Sequence, residues 1–299
     1  MKRIAIAGAT GLIGTRLTSL LLKRGYETVI ISTNAKKAKE KFPKAVKTVS
    51  WGEVTPDALE GCSAIVNLAG ANVAGQKWSS DYKKELISSR IDTTRELYDA
   101  VEKMGQKPSA FICSSAVGYY GDGGESELDE SGKKGNGFLA DLCEQWENEA
   151  AQFKNAGLRV ASIRTGVVLD PSEGALKKML LPFKLGIGGP LGNGRQWFPW
   201  IHIDDIVGIY LFTLENEING VYNGTAPEPV RMKDFASAMG KVMKRPSLFP
   251  VPAFVLQLIM GESAGIVLEG QRAIPAAIQK AGFKFQYHNL KDALHNLLG

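Results

Sequence analysis

The 299-residue sequence has few cysteines and histidines, and none in a pattern that binds metal or forms a disulfide framework. Cys62, Cys113 and Cys143 form an odd set without a C-x-x-C pair, which indicates a reducing, cytoplasmic compartment. His288 and His295, near the final predicted helix, show no ligand spacing to cysteine or acid, so no metal site is expected. No apolar run reaches the ~18 residues of a membrane span, and we therefore expect no membrane partner.

The sequence also lacks a large excess of one charge. Its formal net charge is +5, with 44% hydrophobic and 22% charged residues, which is typical of a globular protein. The densest basic stretch, residues 34–47, contains a single aromatic residue, Phe42, and lacks the repeated interleaving of aromatic residues that stack on bases. We therefore expect a small-molecule partner and no nucleic acid.

Short runs rich in β-branched residues alternate with longer amphipathic segments through the first part of the chain. This order predicts an α/β fold, a Rossmann-type doubly wound parallel sheet with a smaller C-terminal substrate domain. We place the dinucleotide-binding domain at residues 1–170, with later returns of the chain to the sheet, and the smaller domain at residues 171–299. The strand-like runs are residues 3–7, 28–31, 64–69, 110–115 and 159–169, and the helix-like segments are residues 12–25, 78–105 and 138–157.

The segment GATGLIG, residues 8–14, lies between the first predicted strand and the first predicted helix. A side chain at Gly8 or Gly11 would block the turn or the approach of phosphates, and one at Gly14 would push the helix from the strand. The helix N-terminus offers free N–H groups to a pyrophosphate. The pattern predicts a dinucleotide site; the alternative is a tight turn without a ligand.

The end of the second predicted strand indicates which dinucleotide is bound. NAD-preferring sites carry an acid there, but this strand continues into Ser32, Thr33 and Asn34, followed by Lys36 and Lys37. Hydroxyl, amide and ammonium groups can bind a 2′-phosphate, which favours NADP. In the alternative interpretation, the two lysines only solvate the next helix.

Several further motifs occur along nearly the whole chain. They are VNLAG (66–70), SSRIDTTREL (88–97), CSSAVGYYG (113–121), FPWIHIDD (198–205) and YNGTAPEPVRMKDFA (222–236). With GATGLIG, they make the sequence resemble the extended short-chain dehydrogenase/reductase family, and more closely its NADP-linked "epimerase family" branch, related to nucleotide-sugar epimerases.

The resemblance implies NADP(H) as the cofactor and a set of residues around it. The turn after the fourth strand would pass under the ribose and pyrophosphate, while Glu85 and Arg90 either reach the cofactor or form a solvated helical pair. The complete set of expected cofactor-binding residues is Gly8, Thr10, Gly11, Leu12, Ile13, Gly14, Ser32, Thr33, Asn34, Lys36, Leu68, Ala69, Gly70, Glu85 and Arg90.

The family's chemistry implies a Ser or Thr that holds the substrate oxygen and a Tyr-x-x-x-Lys pair that handles the proton. Ser115 fits the first role, but Phe138 and Leu142 stand where the pair is expected. Tyr119 and Tyr120 are therefore the candidate proton donors; in the alternative, their rings only pack the loop. A Tyr-x-x-x-K match at residues 287–291 lies beside the last predicted helix, and we interpret it as coincidence.

The glycine-rich segment 186–200 is a candidate lid, in which Arg195 and Trp197 offer charge and a stacking face to an anionic substrate such as a nucleotide sugar. His202 either contacts the substrate or makes a structural hydrogen bond. Two functions stay open: an NADP(H)-dependent oxidoreductase or epimerase-like enzyme acting on a carbonyl or carbinol carbon, and a catalytically silent NADP-binding sensor or regulator. A homodimer would be usual for this family.

Overall fold

The computed structural model describes residues 2–299. The strands are β1 (Arg3–Ala7), β2 (Glu27–Ser32), β3 (Lys47–Ser50), β4 (Cys62–Asn67), β5 (Ala110–Ala116), β6 (Glu127–Leu128), β7 (Arg159–Thr165), β8 (Val167–Leu169), β9 (Trp197–Phe198), β10 (Trp200–His202), β11 (Gly220–Gly224), β12 (Val230–Arg231) and β13 (Arg272–Ala273).

The α-helices include the three expected from the sequence, α1, α4 and α5. The complete set is α1 (Leu12–Lys23), α2 (Ala35–Lys41), α3 (Pro56–Leu59), α4 (Ser80–Glu102), α5 (Phe138–Ala151), α6 (Gly174–Lys184), α7 (Ile203–Glu215), α8 (Met232–Met243), α9 (Ala253–Met260), α10 (Gly265–Leu268), α11 (Ala276–Lys280) and α12 (Leu290–Leu298).

Seven strands form the central sheet in the order β11-β7-β5-β4-β1-β2-β3, and every neighbouring pair is parallel. This confirms the predicted Rossmann-type doubly wound sheet. The strand order reverses between β1 and β4, so the loops after these strands open into the crevice where α/β sheets bind ligands. β11 comes from the C-terminal part of the chain and forms one edge.

Alternate side chains of β1 point into two separate apolar layers. Ile4 and Ile6 pack with Leu17 of α1 and Ile206 of α7, whereas Ala5 and Ala7 belong to the layer that contains the inward faces of α4 and α5. This alternation is the two-residue period of a strand buried on both faces. It fixes α1 on one side of the sheet and α4 and α5 on the other.

The predicted run 159–169 divides into two strands at Gly166. A Cβ atom at this position would lie 2.1 Å from the carbonyl oxygen of Pro199, so only glycine permits this close approach of two backbones. β7 stays in the central sheet, while β8 leaves it and pairs with β10. A third apolar layer formed by α6, α8 and α12 packs beyond this point.

None of the helices in residues 2–299 is both long enough and apolar enough to cross a membrane.

Candidate functional site

Two of the three glycines in the first turn are explained by the packing of the chain itself. A Cβ atom on Gly8 would lie 2.6 Å from the carbonyl group of Leu68, and one on Gly14 would lie 2.2 Å from the carbonyl oxygen of Gly8. Gly8 also has a positive φ of 76°, a conformation that other residues rarely adopt. These two residues bring β1, α1 and the end of β4 into contact.

Gly11 has no such reason to be glycine. Its φ is −74°, and a Cβ atom there would meet only the carbonyl oxygen of Gly8, at an ordinary distance of 3.5 Å. Gly11 is the N-cap of α1; no side chain caps this end of the helix, and its first turn contains no acidic residue. The first N–H groups of a helix have no partner within it and carry a partial positive charge. The open space beside Gly11 therefore fits a pyrophosphate.

The end of β2 lies next to this turn, since the N–H of Gly8 donates to the carbonyl oxygen of Ile31 at 3.2 Å. Ser32 is buried and its hydroxyl accepts from the N–H of Asn34 at 3.3 Å. Asn34 caps α2 by accepting from the N–H of Lys37 at 2.9 Å. Thr33 and Lys36 are exposed. The polar residues expected near a 2′-phosphate thus follow β2 directly, with no acid among them.

Lys41 is a functional candidate that the sequence reasoning missed. Its ammonium group donates to the Thr15 hydroxyl at 2.8 Å and to the carbonyl oxygen of Thr10 at 3.3 Å, which places a positive charge against the glycine turn. Lys37 precedes Lys41 by four residues and therefore shares its face of α2. This spacing was the available signal, and it favours Lys37 and Lys41 over Lys36 as the lysines that face the turn.

The turn after β4 is held by residues of α4. The guanidinium group of Arg90 donates to the carbonyl oxygens of Ala71 and Leu86, both at 3.0 Å, and it would contact a Cβ atom on Gly70. Burial lowers the pKa of Arg90 from its usual value. Glu85 is exposed one turn earlier on α4. Arg90 therefore supports the segment Leu68–Gly70 from beneath, whereas Glu85 is free to reach outward.

The Ser115 hydroxyl is already engaged by a residue of α5. It is buried, and its hydroxyl donates to Oε1 of Glu147 at 2.7 Å. Glu147 lies on α5, and it also forms two parallel hydrogen bonds with Arg164, each 2.8 Å long. Ser115 and Arg164 are direct partners in the register of β5 and β7, so their side chains meet Glu147 on the same face of the sheet.

Arg164 connects this ion pair to both candidate tyrosines. Its guanidinium group stacks 3.4 Å from the centre of the Tyr119 ring and donates to the Tyr120 hydroxyl at 3.1 Å. Burial would lower the pKa of Arg164, but the bonds with Glu147 outweigh that effect and raise it, so the side chain stays charged. Glu147 and Arg164 were not found from the sequence because they lie far apart in it.

The two tyrosines differ in their surroundings. The Tyr120 hydroxyl is buried among Arg164, the Asn223 side chain at 2.8 Å and the carbonyl oxygen of Asp129 at 2.9 Å. Burial raises the pKa of Tyr120, although Arg164 acts in the opposite direction. Tyr119 is half-buried, and its hydroxyl has no hydrogen-bond partner among residues 2–299. Tyr119 is therefore the better candidate for proton transfer.

Phe138 and Leu142 occupy the start of α5 with apolar contacts. Phe138 packs edge-on against Trp78, with ring centres 5.1 Å apart, and the ammonium group of Lys83 lies 5.0 Å from its centre. Leu142 is buried in a small cluster with Tyr82 and Leu86. Neither side chain can therefore take over the proton transfer of a Tyr/Lys pair.

The three predicted substrate residues are not brought together into one pocket by direct contacts. Arg195 is exposed, while the Trp197 ring packs against the guanidinium groups of Arg231 and Arg272 at 4.1 and 5.1 Å. His202 is buried as the N-cap of α7: Nδ1 accepts from the N–H of Asp204 at 3.0 Å, and Nε2 lies 3.1 Å from the Asn296 side chain. These bonds argue against a substrate contact by His202 and favour the structural alternative.

The Tyr-x-x-x-K match has a structural explanation. The ring of Tyr287 stacks on His202, with ring centres 3.8 Å apart, and its N–H donates to Asp205 at 3.0 Å. Asp205 also accepts from the N–H of Gln286 at 2.7 Å. This part of the WIHIDD motif therefore fastens the segment before α12 to the start of α7.

Comparison with known proteins agrees with this fold. A model of the NAD dependent epimerase/dehydratase family matches residues 4–224, and a model of a domain of unknown function, DUF1731, matches residues 251–297. The chain belongs to the NAD dependent epimerase/dehydratase family. The predicted membership of an epimerase-family branch of short-chain dehydrogenases/reductases is thus confirmed.

Other members of this family align with nearly the whole chain. The epimerase family protein SDR39U1 homolog, chloroplastic, of Arabidopsis thaliana is 39% identical, over 99% of this chain and 86% of the relative. The epimerase family protein YfhF of Bacillus subtilis is 37% identical, over 99% and 97%. The crystal structure of human epimerase family protein SDR39U1 (isoform 2) with NADPH is 35% identical, with a TM-score of 0.88 over 99% of both chains.

Proposed function

We propose that this protein binds NADPH across the crevice between the ends of β1 and β4. The observation that carries the proposal is Gly11: it has neither a strained conformation nor a crowded Cβ position, yet it borders the uncapped N-terminus of α1. A pyrophosphate there would take the free N–H groups of the first helical turn. The similar human protein, crystallised with NADPH, supports the same conclusion.

The residues after β2 favour NADPH over NADH. The segment from Ser32 to Lys37 presents hydroxyl, amide and ammonium groups and no carboxylate, and Lys41 adds a positive charge at the glycine turn. An acid that would bind the 2′-hydroxyl of NAD is missing, while cations that attract a 2′-phosphate are present. Lys37 and Lys41, on one face of α2, would recognise that phosphate.

This recognition can be tested by titrating the protein with NADPH and with NADH while following nicotinamide fluorescence. Lys37→Ala/Lys41→Ala should weaken NADPH binding by about 10-fold or more, because charged hydrogen bonds contribute about 1.5–3 kcal/mol each. NADH binding should not change. Lys39→Ala is the matched control, since its ammonium group bonds to the carbonyl oxygen of Ala45 at 2.7 Å. Equal loss for both nucleotides would disprove the assignment to the 2′-phosphate.

The reaction we propose is that of an oxidoreductase or epimerase-like enzyme on a carbonyl or carbinol carbon, with the nicotinamide supplying or accepting the hydride. Tyr119 would pass the proton to or from the substrate oxygen, because its hydroxyl is unpaired while Tyr120 is fully engaged. Arg164, stacked under its ring, would hold Tyr119 in place. Ser115 could contribute only by releasing its bond to Glu147.

On the substrate side, Arg195 is the group best placed to meet an anionic substrate, because its side chain is exposed on the loop before β9. Arg195→Ala should weaken substrate binding and leave NADPH affinity unchanged. A nucleotide sugar is the substrate class that the family resemblance favours, and unchanged substrate affinity in this variant would remove Arg195 from the site.

A second candidate is a catalytically silent NADPH-binding regulator. Phe138 and Leu142 favour it, since neither can carry a proton, and so does the Ser115 hydroxyl, which is committed to Glu147. The decisive assay offers NADPH with nucleotide sugars, ketones and quinones, follows cofactor absorbance and product stereochemistry, and repeats the measurement with Tyr119→Phe. Turnover that this change abolishes supports the enzyme; tight cofactor binding without turnover supports the regulator.

Three further expectations remain proposals. All three cysteines are free and buried, which suits a reducing compartment such as the cytoplasm. The boundary near residue 170 and a homodimer also remain predictions. Size-exclusion chromatography with light scattering would test the homodimer directly.

A further inference from the structure

The large apolar side chains on the surface are concentrated in one part of the molecule. Nine such residues are exposed among residues 2–299, and eight of them fall in two segments, residues 181–187 and 248–259. We call these eight side chains the apolar face: Leu181, Leu185, Ile187, Leu248, Phe249, Phe254, Leu258 and Ile259. Scattered exposed hydrophobic residues are normal, but a concentration of this kind indicates a contact surface.

Helix α9 carries three of these exposed apolar side chains. Seven of its eight residues are apolar, in the sequence AFVLQLIM, yet only Leu256 is buried. Phe254 and Leu258 stand four residues apart on one face, and Leu258 is 75% exposed. A helix that is apolar nearly all round is normally enclosed by protein or by lipid.

The two segments meet in space. The chain at Gly188 runs beside Ser247, and the N–H of Phe249 donates to the carbonyl oxygen of Gly188 at 3.2 Å. Both helices also contact the loop after β4: Lys178 of α6 donates to the carbonyl oxygen of Ala74 at 3.2 Å, and Lys77 donates to that of Leu258 at 2.9 Å. The two segments that carry the apolar face are therefore adjacent, and both contact the loop after β4.

The charges within the two segments of chain that carry this surface have a single sign. Residues 174–203 and 235–261 contain seven lysines and arginines and no aspartate or glutamate, and Glu262, the first acid after α9, is paired with Lys83 at 2.6 Å. Lys184 stands between Leu181 and Leu185, and Arg245 lies three residues before Leu248; both basic side chains are exposed. Exposed Phe, Leu and Ile side chains within a basic rim are the pattern that binds an anionic membrane surface.

We propose that the apolar face rests on an anionic phospholipid bilayer. The aromatic and aliphatic side chains would enter the boundary between headgroups and acyl chains, and the basic residues would pair with lipid phosphates. The sequence predicts no membrane partner because no apolar run is long enough to span a bilayer, but that criterion does not detect a helix lying on the surface. This inference is independent of whether the protein is catalytic.

Flotation of the full-length protein with vesicles tests the proposal. Vesicles of phosphatidylcholine alone are compared with vesicles that also contain phosphatidylglycerol. We expect binding to the anionic vesicles that falls at least 10-fold in Phe254→Asp/Leu258→Asp. Val46→Asp, at the one exposed large apolar residue that residues 2–299 hold outside the apolar face, should bind like the wild type. Circular dichroism and NADPH affinity verify that each variant is folded.

Two double variants test whether the basic residues contribute to vesicle binding. Lys184→Gln/Arg245→Gln should reduce binding to anionic vesicles and its sensitivity to salt, while Lys23→Gln/Lys154→Gln, two exposed lysines elsewhere, should not. Absence of vesicle binding, or equal binding by the apolar variant, would overturn the proposal. So would a dimer that Phe254→Asp/Leu258→Asp converts to monomer without any vesicle binding, since the face would then join two copies of the chain.

Discussion

The ion pair between Glu147 and Arg164 makes a quantitative prediction, because one member cannot be removed without isolating the other. The Arg164 side chain is 5% exposed. It donates two short hydrogen bonds to the carboxylate of Glu147, and the same carboxylate also accepts from the Ser115 hydroxyl. Truncating one partner of a buried ion pair costs about 3–5 kcal/mol. Glu147 keeps 13% exposure, so water can reach part of the site. We therefore expect Glu147→Leu to lower the free energy of unfolding by about 3–4 kcal/mol.

The assay is urea denaturation followed by circular dichroism. Glu149→Leu is the matched control on the same helix: its partner Arg95 is exposed, and exposed ion pairs contribute little. The double variant Glu147→Leu/Arg164→Met should recover much of the loss, because replacing a buried pair with apolar residues is often neutral. If the double variant is no more stable than Glu147→Leu, an isolated charge is not the cause and the reasoning is refuted.

Two further predictions concern stability. Gly14→Ala should lower the thermal midpoint well below that of Gly11→Ala, since its Cβ atom would lie 2.2 Å from the carbonyl oxygen of Gly8; equal midpoints would contradict the packing argument. Burial lowers the pKa of His202, so the folded protein disfavours its protonation and should lose stability as the pH falls below ~6.5. His202→Asn, which can still cap α7, should flatten this part of the unfolding profile; an unchanged slope in this variant would be the contrary result.

The central sheet could be predicted because its signals are local. β1, β4, β5 and β7 are short apolar runs, and each predicted helix repeats its apolar residues every three or four positions. β3 was missed because only Val49 of its four residues is buried, at the edge of the sheet. The weak apolar pattern of an edge strand does not distinguish it from a loop.

The same distinction between local and distant signals applies to the candidate site. The cofactor half lies in continuous segments, the glycine turn and the residues after β2, where spacing alone indicates chemistry. Glu147, Arg164 and Ser115 come from a helix and two strands, and they meet only because the register of β5 and β7 places Ser115 beside Arg164. Lys41 could be predicted only in part. Its four-residue spacing from Lys37 is visible in the sequence, but its contact with Thr15 depends on the fold.

The buried ion pair bears on whether chemistry occurs in the crevice at all. In the family pattern a lysine charge acts on a tyrosine from four residues away; here Leu142 is apolar, and the cation beside the tyrosines is Arg164 from another element. Glu147 neutralises much of that charge and accepts the hydrogen bond that the Ser115 hydroxyl donates. We propose that proton transfer to a substrate would then depend on Tyr119, whose hydroxyl has no hydrogen-bond partner among residues 2–299. Loss of turnover in Tyr119→Phe with NADPH affinity retained would show that this rearranged set is catalytic, whereas full turnover would exclude Tyr119 as the proton donor.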